Sequence, residues 1–390
     1  MLWKRAISLA VGLVLVVGSG DAAGQLEVRL GSPVARHEGG FGLIRSVVEL
    51  SSGSVLLADP LGTVLVRLDR ALGRADTLGR LGAGPEEYRQ PDIVHPLPGD
   101  SALLVDLGNS RLTVIGPDGR FGPTLSMLQG SGGAVGPDGM LTLMAGATDD
   151  RGGVYFQGSG MGPDGVRDSI ELFRYDRGTQ QIQTVAMLKA IAAEQRETGS
   201  AIIRNVRVMP VPLSPSDGWA VSGSGTVYVA RSGDYRVEVM AAGGARRTGN
   251  PVSYRAVPIG QAEREEYAQE QARNGAIGMR VEVVNGERTV SLSRNRPRGA
   301  PSADLAWPRQ KPPFAAGSLR VDRTGRVWVR RHQAAGVPAL YDVFDAQGAH
   351  VGSVRFPADR VLVGFGASGL YAAYLDDVDL HHLERYALPL

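Results

Sequence analysis

The stretch from Asp92 to Gly119 reads DIVHPLPGDSALLVDLGNSRLTVIGPDG, and its pattern decides the fold. Pro98-Gly99-Asp100 separates two apolar runs, and Leu112-Thr113-Val114-Ile115 forms a third run before a second turn. Large apolar and β-branched residues between turn formers are typical of short β-strands. The stretch therefore predicts consecutive antiparallel strands that are joined by tight turns.

The same unit recurs at the spacing of a propeller blade. Turn glycines that precede an apolar inner strand are separated by 46, 40, 86, 100 and 44 residues, and they are Gly53, Gly99, Gly139, Gly225, Gly325 and Gly369. A repeat of about 40 to 46 residues that consists only of strands is the signature of a β-propeller. Six such signals predict an all-β, six-bladed propeller, while the two long intervals leave seven or eight blades open.

The composition agrees with a folded chain rich in strands and turns. The 390 residues are 43% hydrophobic and 21% charged, with 53 Gly and 23 Pro. Cys is absent, which excludes disulfides and Cys-based zinc sites. The net charge is +2, and the basic clusters lack the interleaved aromatic residues of a nucleic-acid groove. We therefore expect no nucleic-acid partner.

The first 24 residues have the features of a signal peptide. Lys4-Arg5 is followed by the apolar run from Ala6 to Val17 and by small residues up to Gly24. The run is short for a bilayer span, so an uncleaved anchor is the less favoured alternative. We expect a signal peptide over 1–24, one propeller domain over 25–390 with no membrane span, and a periplasmic or secreted product.

The N-terminus of the mature chain predicts how the ring closes. Leu26 to Leu30 resembles a strand without a blade, and the last repeat lacks a fourth strand. Pairing the two would remove two free sheet edges. We therefore predict that the segment from Leu26 is the outer strand of the last blade.

Three segments exceed what the repeat needs, and we interpret 147–165, 190–217 and 258–316 as insertions. Ala190 to Thr198 has the composition of a short helix, and Gln261 to Asn274 that of a polar surface helix. Insertions on a repeat scaffold lie on one face and often carry the specific function.

Two motifs resemble a known family. Asp106 to Ile115 resembles the core of an NHL repeat, with Asp, a turn, Asn, and then Arg at the start of a strand. Leu81 to Pro91 is similar to the inter-blade loop of that family, in which an aromatic residue docks between blades. The chain resembles exported bacterial six-bladed propellers of the NHL-repeat/TolB-like type. The resemblance implies the fold, whereas propellers host many activities.

Two classes of function follow, and the favoured one is a non-enzymatic binding or scaffold propeller without a cofactor. Such a protein would recognise a protein, peptide or glycan on one face. The insertion over 258–316 combines Trp307 with Arg294, Arg296 and Arg298. Trp and Arg are favoured at recognition hot spots, so these four residues are the candidate binding residues.

The alternative is a metal-assisted hydrolase or lyase with its site in the central channel. The resemblance implies this option, because related lyases and lactonases hold zinc or calcium there. His95 and His332 lie in or near predicted strands and could meet at the channel as ligands. No local zinc motif and no nucleophile elbow occurs in the sequence, so no catalytic residue is assigned.

Overall fold

Six antiparallel sheets follow one another along the chain in the computed structural model. The structure describes residues 26–130, 140–142, 144–162, 165–199, 204–284, 287–296 and 305–389. Each sheet is one blade, whose first strand is innermost. The fourth strand lies at the outer edge in every blade except blade 5, which has a fifth strand outside it. This arrangement is a six-bladed β-propeller and confirms the predicted fold and blade number.

The strands of the first three blades follow the chain in order. Blade 1 comprises Val47–Glu49, Val55–Asp59, Val64–Leu68 and Ala75–Leu78. Blade 2 comprises Pro91–Leu97, Ser101–Asp106, Arg111–Ile115 and Phe121–Ser126. Blade 3 comprises Ala147–Thr148, Gly153–Gln157, Ser169–Asp176 and Ile182–Lys189.

Of the remaining three blades, blades 5 and 6 include strands from the N-terminal segment. Blade 4 comprises Gly218–Val221, Val227–Arg231, Arg236–Met240 and Arg246–Thr248. Blade 5 comprises Arg320–Val321, Val327–Arg331, Leu340–Phe344 and His350–Arg355, with Glu27–Arg29 as a fifth strand. Blade 6 comprises Arg360–Gly366, Gly369–Leu375, His381–Tyr386 and, at its outer edge, Ala35–Arg36.

The predicted closure by the segment from Leu26 is wrong in its position. Glu27–Arg29 pairs in parallel with the fourth strand of blade 5, and Ala35–Arg36 pairs with the third strand of blade 6. Leu30 explains the difference, because its buried side chain packs in the apolar layer between these two blades. The N-terminal segment therefore joins both blades, and the strand that closes blade 6 is Ala35–Arg36 rather than the segment that begins at Leu26.

Among the described residues, the hydrophobic core consists of six layers, each shared by two neighbouring blades. In the second strand of blade 1, Leu56 and Ala58 pack toward blade 2, whereas Val55 and Leu57 pack toward blade 6. Successive side chains of a strand point to opposite faces, so one apolar run serves two layers. Trp328, fully buried between blades 5 and 6, is the largest such side chain. The positive φ angles of Gly53 (80°) and Gly325 (83°) explain why the turns after the innermost strands contain glycine.

The long connections leave the ring on one face. Because alternate strands run antiparallel, the loops after second and fourth strands lie on the same face, which we call the capped face. After blade 3 a hairpin extends from it, formed by Ala193–Gly199 and Arg204–Pro210. The helix expected near Ala190 to Thr198 is therefore wrong, because pairing with the second strand overrides local helix propensity.

A helix and a hairpin follow blade 4, and we call them together the cap. The helix α1 is Gln261–Asn274, as predicted, and the hairpin strands are Ala276–Val284 and Glu287–Asn295. A 3-10 turn at Ala316–Ser318 leads into blade 5. In the described ranges no helix has the length and apolarity needed to cross a membrane.

Smaller elements complete the connections. The segment predicted as an insertion over 147–165 contributes the first two strands of blade 3, followed by a short hairpin of Met161–Gly162 and Gly165–Val166. Two further two-stranded sheets are formed by Arg80–Leu81 with Glu87–Tyr88 and by Leu128–Gly130 with Met140–Thr142.

The NHL-like motifs connect blades 1 and 2. Asp106 accepts hydrogen bonds from the backbone of Arg89 and from the side chain of Asn109. Arg111 donates to the carbonyls of the loop before blade 2, including that of Glu87 at 2.6 Å. Tyr88 is buried in the layer between the two blades, as the resemblance implied for the aromatic residue of this loop.

Candidate functional site

Four ionisable side chains surround the mouth of the central channel on the capped face. Asp92 and His95 belong to the innermost strand of blade 2, and Arg320 to that of blade 5. Arg45 lies just before the innermost strand of blade 1. Arg294 approaches from the cap as the fifth ionisable side chain. We call these five residues the mouth cluster.

Asp92 is the one carboxylate in this cluster. Arg45 donates from Nη1 to Asp92 Oδ2 at 2.7 Å, and Arg294 donates from Nη2 to the same oxygen at 3.2 Å and from Nε to Oδ1. Asp92 is buried, so this bridge is only weakly screened by solvent. Two guanidinium groups from distant parts of the chain therefore share a single negative charge.

Arg320 has backbone partners instead of a carboxylate. Its guanidinium donates to the carbonyls of Leu319 at 2.9 Å and of Arg45 at 3.3 Å, and no ion pair involves it among the described residues. Burial lowers the pKa of Arg320, and the tyrosine Tyr341 offsets this only in part. Three guanidinium groups thus face one carboxylate at the mouth.

Nη1 is the one Arg45 donor with a hydrogen-bond partner among the described residues. The side chain of Arg45 is partly open to the channel, and 34% of it is exposed. Burial lowers the pKa of Arg45, Asp92 raises it, and Arg294 and Arg320 lower it further. Neighbouring cations oppose each other's charge, so the cluster favours an additional anion.

His95 is neutral in this environment. It is buried, and its Nε2 lies 3.0 Å from the carbonyl oxygen of Ala145. Burial lowers the pKa of His95 to about 4; the Ala145 carbonyl opposes this shift, while Arg320 and Arg45 reinforce it. The imidazole of His95 is therefore held by the backbone that leads into blade 3.

His332 forms its hydrogen bond with a different part of the chain. It follows the second strand of blade 5, and its Nδ1 lies 2.9 Å from the carbonyl oxygen of Pro312. The hydrogen bonds of His95 and His332 thus lead to separate backbone carbonyls. In the part of the chain that the structure describes, no three His, Asp or Glu side chains are grouped so that they could hold a metal ion.

The cap is attached to the capped face mainly by charged side chains. Glu263 accepts from the backbone of Ala335, Glu266 pairs with Lys311 at 2.8 Å, and Glu270 pairs with Arg330 at 2.8 Å. None of the described side chains of α1 is buried. At spacings of three and four residues these glutamates share one side of the helix, which therefore attaches through polar contacts.

Arg294 connects the cap to the mouth cluster. Besides Asp92, it donates to the carbonyls of Asn274 (3.2 Å) and Gly275 (3.1 Å), where α1 ends. A cation at the carbonyl end of a helix is favourable, and Gly275 adopts a φ of 64° that favours glycine. Leu292 of the hairpin is buried in the layer between blades 2 and 3. The cap therefore folds against the channel mouth.

The other predicted binding residues have different surroundings. Trp307 is partly buried, with its ring 5.5 Å from that of Tyr267 and 5.4 Å from the guanidinium carbon of Arg264. It thus packs against α1. Arg296 is exposed, and Arg298 lies outside the described residues. Of the four candidates, the structure places Arg294 in the mouth cluster.

Sequence reasoning missed Arg45, Asp92 and Arg320. A signal existed at Arg320, because an Arg within a short apolar strand that is assigned to the innermost position must face the channel or a neighbouring blade. These residues come close together only in the closed ring, because Arg45 and Arg320 are 275 residues apart in the sequence.

A cavity of about 860 Å³ lies at the end of the channel opposite the capped face. Its lining includes Glu49, Thr148 and Phe365 from the far ends of innermost strands. The two ends differ in charge, because arginines dominate the capped mouth whereas Glu49 lies at the other.

Comparisons with known proteins found similarity only to solved structures of low sequence identity. No protein-family model matches the sequence, and no curated protein matches it. A gluconolactonase from Xanthomonas campestris is 13% identical, with 90% of this chain and 88% of that chain covered and a TM-score of 0.39. Regucalcin from Agrobacterium tumefaciens, described as a calcium-binding protein, is 12% identical, with 93% and 99% covered and a TM-score of 0.39.

A third structure is a Bacteroides vulgatus protein from a family of unknown function. It is 10% identical, with 92% of this chain and 96% of that chain covered and a TM-score of 0.46. The strand order and the mouth cluster define the class of this protein: it is a six-bladed β-propeller whose channel is capped on one face and lined there by arginines.

Proposed function

We propose that this chain is an exported binding propeller whose capped mouth recognises a carboxylate group of a protein, peptide or glycan partner. The observation that carries the proposal is the sharing of one carboxylate, Asp92, by Arg45 and Arg294, while Arg320 has no ionic partner among the described residues. Two positive charges are therefore uncompensated where burial already lowers the pKa of Arg45 and Arg320.

The chemistry of guanidinium favours a carboxylate ligand. Its planar array of donors matches the two oxygens of a carboxylate, and such charge-assisted hydrogen bonds are about twice as strong as neutral ones. Arg294 is occupied by Asp92 and by two carbonyls of the cap. Arg45 and Arg320 are therefore the residues that would contact the ligand, and Arg294 would hold the cap beside them.

A titration of the purified mature protein tests this proposal. We would use sodium D-glucuronate and an N-acetylated, amidated Asp-Glu dipeptide as carboxylate probes, with D-glucose as the neutral probe. We expect saturable binding of the carboxylates that weakens with added salt. Replacing Arg320→Gln should weaken it at least about tenfold, which corresponds to about 1.4 kcal/mol.

The matched control is Arg255→Gln, which removes the same charge from an exposed position on the connection after blade 4. It should bind the probes as the unchanged protein does. Equal binding of D-glucose and D-glucuronate, or an Arg320→Gln variant with unchanged affinity, would reject the proposed ligand class.

Export is part of the same proposal. Its support is the charged start, apolar run and small-residue site before Gln25. Cell fractionation followed by N-terminal sequencing should find the protein outside the cytoplasm, with a new N-terminus between Ala22 and Gln25. A cytoplasmic protein that retains Met1 would contradict it.

A further inference from the structure

The cavity opposite the cap has one contribution from every blade. At the ends of the six innermost strands it is lined by Glu49, Pro96, Thr148, Val221, Val321 and Phe365. Its volume of about 860 Å³ falls within the range of about 300–1,000 Å³ that is usual for small-molecule sites. The cavity also extends outward between blades 4 and 5, where Tyr228, Val239 and Ala346 line it. It is therefore large enough to hold a small ligand between the channel end and these two blades.

Glu49 is the one ionisable residue of these six. Its carboxylate accepts hydrogen bonds from the hydroxyl of Tyr371 at 2.6 Å and from the hydroxyl of Ser368 at 2.9 Å. Both are neutral donors, and no Lys or Arg forms an ion pair with Glu49 among the described residues. The carboxylate is thus oriented by neutral donors, while the guanidinium of Arg385 interacts with the Tyr371 hydroxyl and forms no ion pair with Glu49 among the described residues.

Gly366 creates the space that the carboxylate occupies. A Cβ atom at this position would lie 1.9 Å from Glu49 Oε2, which is far closer than any allowed contact. A side chain there would displace the carboxylate. Because Tyr371, Ser368 and Gly366 all belong to blade 6, that blade fixes the orientation of a group from blade 1.

The rest of the cavity contributes little charge close to Glu49. Val221, Val321 and Phe365 give apolar walls, and the buried carboxylate of Asp322 is occupied by Arg326 and its own turn. Other ionisable lining residues are exposed, and solvent screens them: Asp150, Arg247 and Arg323. Serine and threonine side chains line much of the remaining wall, including Ser222, Thr226 and Thr324. A negative group beside a partly apolar wall is complementary to a cation on a small apolar body.

We propose that this opposite cavity binds a primary amine in its protonated form. The ammonium group would donate to the acceptor positions of Glu49 that Tyr371 and Ser368 leave unused. The apolar body of the ligand would lie against Val221, Val321 and Phe365, where its removal from water favours binding. This site lies at the other end of the channel from Arg45 and Arg320, and it goes beyond the proposed carboxylate site.

Calorimetric titration of the full mature protein with hexylamine hydrochloride at pH 7 tests the assignment, with 1-hexanol as the uncharged probe of similar shape. We expect saturable hexylamine binding and at least about tenfold weaker hexanol binding. Glu49→Gln should reduce hexylamine affinity about tenfold or more, because it removes the charge but keeps the shape and acceptor of the side chain. Glu38→Gln, at an exposed position, is the matched control and should bind normally.

A second variant covers the case in which Glu49→Gln fails to fold. Val221→Phe would narrow the apolar part of the cavity without removing a contact of Glu49, and it should weaken hexylamine binding severalfold. Arg320→Gln should leave hexylamine binding unchanged, so the two sites succeed or fail separately. Absence of saturable binding to the unchanged protein, equal affinity for hexanol, or normal binding by Val221→Phe would each overturn the amine site.

Discussion

Arg294 and Asp92 are 202 residues apart in the sequence, and their side chains meet at the capped mouth, where Arg294 Nη2 donates to Asp92 Oδ2 at 3.2 Å. Both side chains are almost fully buried, at 6% and 2% exposure. The contact joins the hairpin of the cap to the innermost strand of blade 2. The ion pair therefore both holds the cap at the channel mouth and contributes to the balance of charge there.

The first prediction concerns the loss of this carboxylate. Asp92→Asn should destabilise the protein by about 3 kcal/mol, because it leaves two guanidinium groups without their shared anion. Urea unfolding measures this change. Limited proteolysis should also cut faster within 258–316, since Arg294 no longer holds the cap.

A double variant separates the ion pair from other effects. Adding Arg294→Met to Asp92→Asn should cost less than the sum of the two single changes, because the two residues interact directly. Strict additivity would contradict the coupling.

Rapid cutting throughout 258–316 in the unchanged protein, with the ring intact and probe binding unaffected, would show that this segment is only a linker.

The second prediction concerns the N-terminal segment. A chain that begins at Leu30 loses the fifth strand of blade 5 and the exposed pair of Glu27 with Arg355, so we expect a loss of about 1–2 kcal/mol. A chain that begins at Gly42 also loses the outer strand of blade 6 and the buried Phe41, and it should lose about 5 kcal/mol or more.

Thermal unfolding of the two shortened chains compares these losses directly. The strand from Ala35 to Arg36 closes the last blade, whereas Glu27–Arg29 adds to a blade that already has four strands. Equal melting temperatures for both chains would contradict this division of roles.

The blades could be predicted because their information is local. Val55 to Ala58 alternates between two apolar layers, and Gly53 marks the preceding turn by its positive φ. The helix at Gln261–Asn274 was likewise predictable from composition. In these segments, local propensity and tertiary packing favour the same structure.

The remaining features depend on partners that are distant in the sequence. Ala193–Gly199 forms a strand because Arg204–Pro210 pairs with it, and its own composition favours a helix. Arg45 and Arg320 come together only when blades 1 and 5 take their places in the ring. Spacing along the chain contains no information about such an encounter, so the mouth cluster required the structure.

The third prediction concerns the glutamates of the cap. Partial desolvation against the capped face raises the pKa of Glu270, but the nearby Arg330 outweighs this effect and leaves the pKa below its usual value. Glu270→Gln should therefore weaken the attachment of α1 and leave Arg330 without its anion. Hydrogen exchange of residues 261–274 should become several-fold faster, with a smaller effect on the blades.

Glu265→Gln provides the matched control on the same helix. Glu265 is exposed and accepts a hydrogen bond from Gln261 of the helix itself. Its replacement should leave exchange in 261–274 unchanged. Equal acceleration by both variants would indicate that overall helix charge, rather than the contact with Arg330, holds the cap.

The fourth prediction concerns the dependence of stability on pH. Burial lowers the pKa of His95, His332 and His381 to about 4, from about 6.5 in the unfolded chain. Between these values the unfolded state binds more protons than the folded state, so acidification favours unfolding. The free energy of unfolding should therefore be constant above about pH 7 and fall as the pH decreases from about 6.5 to about 4.

His95→Gln isolates one contribution to this change. The amide of Gln can still donate to the Ala145 carbonyl but cannot titrate, and the positive charges of Arg45 and Arg320 no longer have an imidazolium to oppose. A shift of this size corresponds to roughly 2–4 kcal/mol, since each pKa unit is worth 1.36 kcal/mol. Urea unfolding at pH 7, 5.5 and 4.5 should thus show a shallower loss of stability for His95→Gln than for the unchanged protein. Parallel pH profiles for the two proteins would show that His95 already binds its proton normally in the folded state.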